Sequence, residues 1–234
     1  MAASLPLRVA SYNIHGCVGT DGRFDPARVQ CLIDQIDADI LALQEVETRH
    51  HGDDVLGRYR DRSGWQVISG PTLLREQGRY GNALMTRLPV LDDRLIDLSV
   101  GGFEARSAIR AVLEYPGCRL EVVATHLGLS PAERREQVRT LLGVLQTGTD
   151  EVDASILLGD FNEWFLWGRP LRWLHRHFGS RGATPATFPS RYPLFRLDRI
   201  WVSPPARLIG VRTLRTARAR RASDHLPVIG EVRV

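Results

Sequence analysis

The run Ser155-Ile156-Leu157-Leu158-Gly159-Asp160-Phe161-Asn162 constrains the fold more than any other stretch of the chain. Three consecutive apolar residues stop at an acid, which reads as a short buried strand with a polar end. Gly159 lets the backbone turn there or approach a neighbour closely. Asp160 and Asn162 are two residues apart, so in extended chain they point to the same side. A carboxylate and an amide oxygen side by side are hard ligands, suited to Mg2+ with Mn2+ as a substitute. An Asp/Asn turn closing a strand would use the same residues. Recurrence decides between the two readings. Asn13 follows an apolar strand at residues 7–12, Glu45 follows one at 39–43, and His126 follows one at 119–125. Asp198 immediately precedes a strand at 199–202, and Asp224-His225 precede one at 227–234. Strands that share one core bring their ends to one rim. That rim holds the carboxylates of Glu45, Asp160, Asp198 and Asp224, the imidazoles of His126 and His225, and the amides of Asn13 and Asn162.

Helices alternate with these strands. Asp25-Pro26 supplies an N-cap and a first-turn proline, and Val29, Leu32, Ile33 and Ile36 then recur at helical spacing. Ser130-Pro131-Ala132-Glu133 is a capping box that opens a second helix, and a third is expected over residues 166–178. Further strands are expected at 65–69, 82–86, 94–98 and 108–115, with a hairpin turn at Pro116-Gly117 and loops at 48–64, 73–81 and 184–197. The alternation predicts an α/β layered fold. At 234 residues, the chain 1–234 is within reach of a single domain. No apolar run is long enough to cross a bilayer, and residues 1–7 lack the pattern of a secretory signal. Cys17, Cys31 and Cys118 are odd in number and have no zinc or redox spacing, so a reducing, cytoplasmic setting is expected.

Crowded carboxylates persist at low cost only beside a cation or a proton. Two histidines among them add groups that titrate near neutrality. The set matches metal-assisted phosphoryl hydrolysis. Glu45 with Asp160 or Asp224 would hold the ion, and Asp160 or His225 would activate water. Asp198 would orient His225, and His126 would bond the charge developing on phosphorus. All 31 basic residues are arginine and the net charge is +4. Arginine matches phosphate with a planar fork.

The motifs Gln44-Glu45, Gly81-Asn82-Ala83-Leu84, Thr125-His126-Leu127, Gly159-Asp160-Phe161-Asn162, Leu197-Asp198-Arg199-Ile200 and Ser223-Asp224-His225-Leu226-Pro227 follow Asn13 in a recognisable order. In this the chain resembles the endonuclease/exonuclease/phosphatase superfamily, which includes the pancreatic-type deoxyribonucleases, and looks most like its compact bacterial members. The resemblance spans essentially the whole sequence. It implies a four-layered α/β sandwich, with two mixed sheets face to face and helices outside, and a Mg2+-dependent phosphodiesterase or phosphatase. It further implies Asn13, Glu45, Asp160, Asn162 and Asp224 at the metal or its water, with His126, Asp160, Asn162, Asp198 and His225 in the catalysis. Glu47 stands where many deoxyribonucleases carry an arginine that touches DNA.

The substrate class stays open between nucleic acid (DNA or RNA), a phospholipid or inositol phosphodiester, and a soluble phosphate ester. A phosphomonoesterase, or a non-catalytic module that binds anions, is the alternative. Asn82, Arg79, Arg106 and Arg191 are expected at the substrate, with Arg212, Arg215, Arg218, Arg220 and Arg221 leading into Asp224. Trp164, Phe165 and Trp167 are expected to staple the following helix rather than to stack on a base. The expected form is a monomer without a transmembrane segment, with peripheral membrane contact as one mode of access.

Overall fold

The protein is described by a computed structural model covering residues 6–49, 55–60, 64–75, 78–147, 152–179 and 184–234. The chain opens with β1 (Leu7–Asn13), α1 (Pro26–Ile36) and β2 (Ile40–Arg49), with β2 parallel to β1. The short α2 (Gly57–Arg60) leads to an antiparallel hairpin of β3 (Gln66–Arg75) and β4 (Gly78–Thr86). Three strands follow, β5 (Val90–Asp97), β6 (Ser107–Tyr115) and β7 (Cys118–His126). Helix α3 (Pro131–Thr147) then crosses to β8 (Ala154–Asp160), which lies parallel to β7. The remainder is α4 (Arg169–His177), β9 (Asp198–Ser203), β10 (Leu208–Thr213), α5 (Ala217–Ala222) and β11 (Val228–Val232).

These strands form two mixed sheets, ordered β10-β11-β1-β2-β4-β3 and β5-β6-β7-β8-β9. Side-chain alternation explains why both crossover strands of the second sheet are apolar throughout. Val122, Ala124, Ile156 and Leu158 face the other sheet, where they meet Val9, Ile40, Ala42 and Val228. Val123 and Leu157 point the opposite way, against Val138, Leu141, Leu171 and Leu174 of α3 and α4. On the far side, Val29, Leu32, Ile33 and Ile36 of α1 cover Ala10, Tyr12, Leu41 and Leu43. The result is the expected four-layered sandwich.

Both predicted helix starts form as read. The Asp25 carboxylate accepts the Arg28 N–H at 2.9 Å. Ser130 Oγ accepts the Ala132 N–H at 3.3 Å and Glu133 Oε2 accepts the Ser130 N–H at 3.4 Å, closing the capping box.

Four expectations fail. The described part of residues 73–81 is hairpin, not loop (76 and 77 lie outside the described residues). Gly81 sits opposite a register shift between Pro71 and Leu73, where a Cβ would strike the Gly70 carbonyl. Its loop-like composition is bulge chemistry on an outer strand. Strand β2 does not stop at Glu45 but continues through a bulge between Leu43 and Val46. Of the supposed loop 48–64, the described part holds the end of β2 and a turn with Val55, Leu56 and Tyr59 buried; 50–54 and 61–63 lie outside the described residues. Finally, α4 starts only at Arg169, and residues 164–167 are exposed.

Candidate active site

The rim is built from two rows of strand ends, one on each sheet. In the five-stranded sheet, register places His126 beside Asp160 and Asp160 beside Asp198. In the six-stranded sheet, Asn13 lies beside Gln44, next to Glu45. Gly159 is what permits the first row. Its φ is +151°, and a Cβ there would run into the Thr125 carbonyl oxygen. Among the described residues, five non-glycine residues have positive φ, and four of them, His15, Cys17, Glu45 and Asn162, lie on this rim or on the turn after β1. Backbone strain of this kind collects where side chains must be aimed.

Asp160 is the hub. Its Oδ1 accepts the Asn162 N–H at 2.9 Å, and its Oδ2 accepts Asn13 Nδ2 at 3.1 Å. Asn13 Nδ2 also donates to Glu45 Oε1 at 2.9 Å, so one neutral amide bridges two carboxylates. The Asn13 oxygen accepts the His15 N–H at 3.0 Å, which fixes the amide orientation. Both imidazoles face the same carboxylate oxygen, with His126 Nε2 at 3.6 Å and His225 Nε2 at 3.7 Å from Asp160 Oδ2. Nδ1 of His225 is held by Asp198 Oδ2 at 2.8 Å. Asp224 is more open, with Oδ1 3.9 Å from His15 Nδ1.

The two histidines are driven apart electrostatically. Burial works against charge on His225, yet Asp198 and Asp160, with the Asp198 hydrogen bond and Asp224, push its pKa up to about 10. Burial, with Arg106 and His225 nearby, pushes His126 down to about 3 against the pull of Asp160. At neutral pH the ion-free rim therefore holds one imidazolium and one neutral imidazole. Arg106 Nη1 lies 3.1 Å from His126 Nδ1. A guanidinium can only donate, so in the tautomer that accepts from Arg106 the ring proton sits on Nε2, aimed into the rim. Asn162 Nδ2 carries two hydrogens: one goes to the Leu127 carbonyl at 2.9 Å and the other faces that Nε2 at 3.1 Å, so donors flank both ring nitrogens.

His225 should thus keep its proton through neutral pH in the ion-free protein and release it near pH 10. A pKa raised on folding stabilises the fold fully below the unfolded value, about 6.5, and that stabilisation is lost as pH rises through about 10. NMR titration of the ring with EDTA present, beside thermal melts at neutral and alkaline pH, checks this. A ring already neutral at pH 8 would contradict it.

The donor set fits a hard divalent cation. Glu45 and Asp160 share one neutral donor, Asn13 Nδ2, and Asp224 offers a third carboxylate on the same rim. Asp198 Oδ1 is buried without a partner. Asp160, Asp198 and His225 offer ligand atoms within 4.8 Å of one another. However, the short Asp198–His225 bond makes that trio read as a relay, with the Glu45 side as the better cation seat.

The remaining predicted residues divide. Arg106 joins the cluster through His126. Asn82 is buried beside it, donating to the Ser107 carbonyl at 3.0 Å and tying the sheets together. Arg191 bonds Thr20 at 3.0 and 3.3 Å instead of the cluster. Arg79 is exposed, paired in register with Thr48 and Leu74 beyond the Glu45 bulge, and stands outside this network. Of the basic segment, Arg218 reaches Cys31 and Arg221 pairs with Asp21 at 2.8 Å, away from the cluster. Two contributors carried no sequence assignment. Ser223 Oγ donates to the Asn13 carbonyl at 2.7 Å and accepts the His225 N–H at 3.1 Å, tying the turn before β11 to the end of β1 in the six-stranded sheet. Phe188 packs on the His225 ring at 4.9 Å between centroids. Ser223 had a signal, its place in the Ser-Asp-His run; Phe188 sits in a stretch without periodicity.

Comparison with known proteins agrees with this architecture. The chain is 31% identical to a protein of Escherichia coli strain K12 named Uncharacterized protein YbhP, over 96% of this chain and 95% of that one. A Bacteroides vulgatus endonuclease/exonuclease/phosphatase superposes with a TM-score of 0.79 at 19% identity, covering 98% and 99% of the two chains. D. rerio TDP2, solved with a single-strand DNA product, superposes with a TM-score of 0.72 at 18% identity, covering 96% and 98%. Members of this family are generally hydrolytic nucleases and phosphatases that use a divalent metal. The family model matches residues 10–225, and the chain belongs to the endonuclease/exonuclease/phosphatase family.

Proposed function

We propose that the protein is a Mg2+-dependent phosphodiesterase and that the whole chain works as one catalytic domain. The observation that carries this reading is the convergence of two imidazoles on one Asp160 oxygen, with Asp198 holding the far side of one ring. A bound cation would be held by Glu45 with Asp224 and, through water or directly, Asp160; it would supply positive charge to the phosphoryl oxygens. The chain's own groups do the rest. Asp160, fixed by Asn13 and Asn162, takes the proton of the attacking water. The water oxygen bonds to phosphorus as the ester P–O bond breaks, and the leaving oxygen is protonated from solvent. The His225 imidazolium and the His126 Nε2–H donate to the phosphoryl oxygens as charge builds there. The opposed pKa shifts of the two histidines support these roles, since one is poised as a cation and the other as a neutral donor.

Hydrolysis of bis(p-nitrophenyl) phosphate beside p-nitrophenyl phosphate, with Mg2+, Mn2+ or EDTA, tests the proposal. The diester should be cleaved with metal and spared with EDTA. The His225→Ala variant should lose about a hundredfold or more in turnover. Cleavage of the monoester alone would replace the reading with that of a phosphatase.

A further inference from the structure

The loops that flank the rim expose large apolar side chains. Phe165, Leu166 and Trp167 follow the Asp160 strand, and Trp167 is 72% exposed. Tyr192 and Leu194 precede Asp198, with Leu194 74% exposed, and Leu129 lies between β7 and α3 at 67%. They belong to one surface. Trp164 meets Phe195 edge-on at 4.7 Å and Phe188 at 5.6 Å, and Phe165 lies 5.5 Å from Trp167. The buried Arg134 joins Leu129 to this face, bonding its carbonyl at 2.6 Å and the Glu163 carboxylate at 3.3 Å. Phe188 carries the surface to the His225 ring at 4.9 Å, so the apolar face begins where the chemistry ends.

The exposed charge carried by the two loops 163–169 and 188–196 has one sign. Arg169, Arg191 and Arg196 are exposed, as is Arg220, which donates to the Arg191 carbonyl at 3.3 Å. The single acid in residues 163–169 and 188–196 is Glu163, buried against Arg134. Trp, Tyr, Phe and Leu ringed by arginine match the chemistry of a bilayer interface, where apolar side chains enter the acyl boundary and cations meet anionic headgroups. A surface built only for nucleobases would present π-faces, and three of the eight exposed side chains here, Leu129, Leu166 and Leu194, have none.

We propose that this face docks on an anionic phospholipid surface and that the phosphate ester brought to the rim is carried by a lipid. The second half rests on the hydrolytic reading above. Flotation with vesicles of phosphatidylcholine and phosphatidylglycerol in equal parts, against pure phosphatidylcholine, tests the first half with EDTA present, independently of turnover. The protein should float with the anionic vesicles and less so in high salt. Phe165→Ala and Trp167→Ala should each weaken partition by about tenfold or more without changing the melting temperature. No flotation, or flotation that both variants retain, overturns docking. So does self-association that Trp167→Ala dissolves, or binding of a single-stranded oligonucleotide through Trp167 without vesicle binding. For the second half, Trp167→Ala should lower hydrolysis of a vesicle-borne phosphodiester and spare soluble bis(p-nitrophenyl) phosphate. Equal loss on both overturns it. Flotation without hydrolysis of any ester by the wild-type protein would instead remove the hydrolytic reading and leave docking standing.

Discussion

Asp160→Asn is expected to lower phosphodiester turnover by about ten-thousand-fold, the upper end for loss of a positioned acid–base group, while the protein still folds. The change is nearly isosteric, and the amide oxygen can keep the Asn162 N–H that Asp160 Oδ1 accepts at 2.9 Å. Its nitrogen, however, would then stand where Oδ2 accepts Asn13 Nδ2 at 3.1 Å, setting donor against donor. The variant also removes one of the carboxylates that raise the His225 pKa, so that pKa should fall from about 10. Steady-state kinetics with the soluble diester, beside NMR titration of His225, reads both effects. A structural lesion alone would not move them together. Turnover within about tenfold of wild type would take Asp160 out of the chemistry.

The second large effect concerns stability. Glu121 is completely buried on β7, on the same face as Val123 and so toward the helical layer. Its Oε1 accepts Arg110 Nε at 2.7 Å and its Oε2 accepts Ser155 Oγ at 3.0 Å. Arg110 is itself only 9% exposed at the side chain, and its other acid, Asp92, is largely solvent-exposed. Glu121→Ala should therefore destabilise the fold by about 3–5 kcal/mol, because it strands a guanidinium in the sheet. Urea unfolding checks this as a lower midpoint at unchanged slope. Replacing both partners, Arg110→Met with Glu121→Leu, should recover most of the loss, since no buried charge is then left unpaired. A loss below about 1 kcal/mol in Glu121→Ala would show that Asp92 and water satisfy Arg110 alone.

Much of the architecture was legible because it is written in local preferences. Asp25, Pro26, Ser130 and Glu133 cap their helices through neighbours a few residues away, and such signals survive in any context. The polar strand ends were legible too, since a carboxylate after an apolar run has to emerge from the core there. Asn13, Glu45, His126, Asp160, Asn162, Asp198, Asp224 and His225 could thus be named together from the sequence.

Their mutual arrangement could not. Asn13 meets Asp160 across 147 residues, and Ser223 reaches the Asn13 carbonyl across 210. No periodicity encodes such partners; strand pairing within each sheet and the packing of one sheet on the other select them. That tertiary arrangement made Arg106 the partner of His126 and turned Arg191 toward Thr20. It also decided the fate of Trp167 and Phe165, read as a helix staple and found on the surface. Hydrophobicity predicts burial only where a facing layer exists to bury against, and among the described residues none covers Phe165 and Trp167. The sequence by itself determined which polar residues follow the apolar runs at the rim and where the capped helices α1 and α3 begin, because those choices are settled by nearest neighbours. The tertiary structure alone decided which ends face one another, which protons they hold and which apolar side chains are left for a partner, because each depends on distance through space.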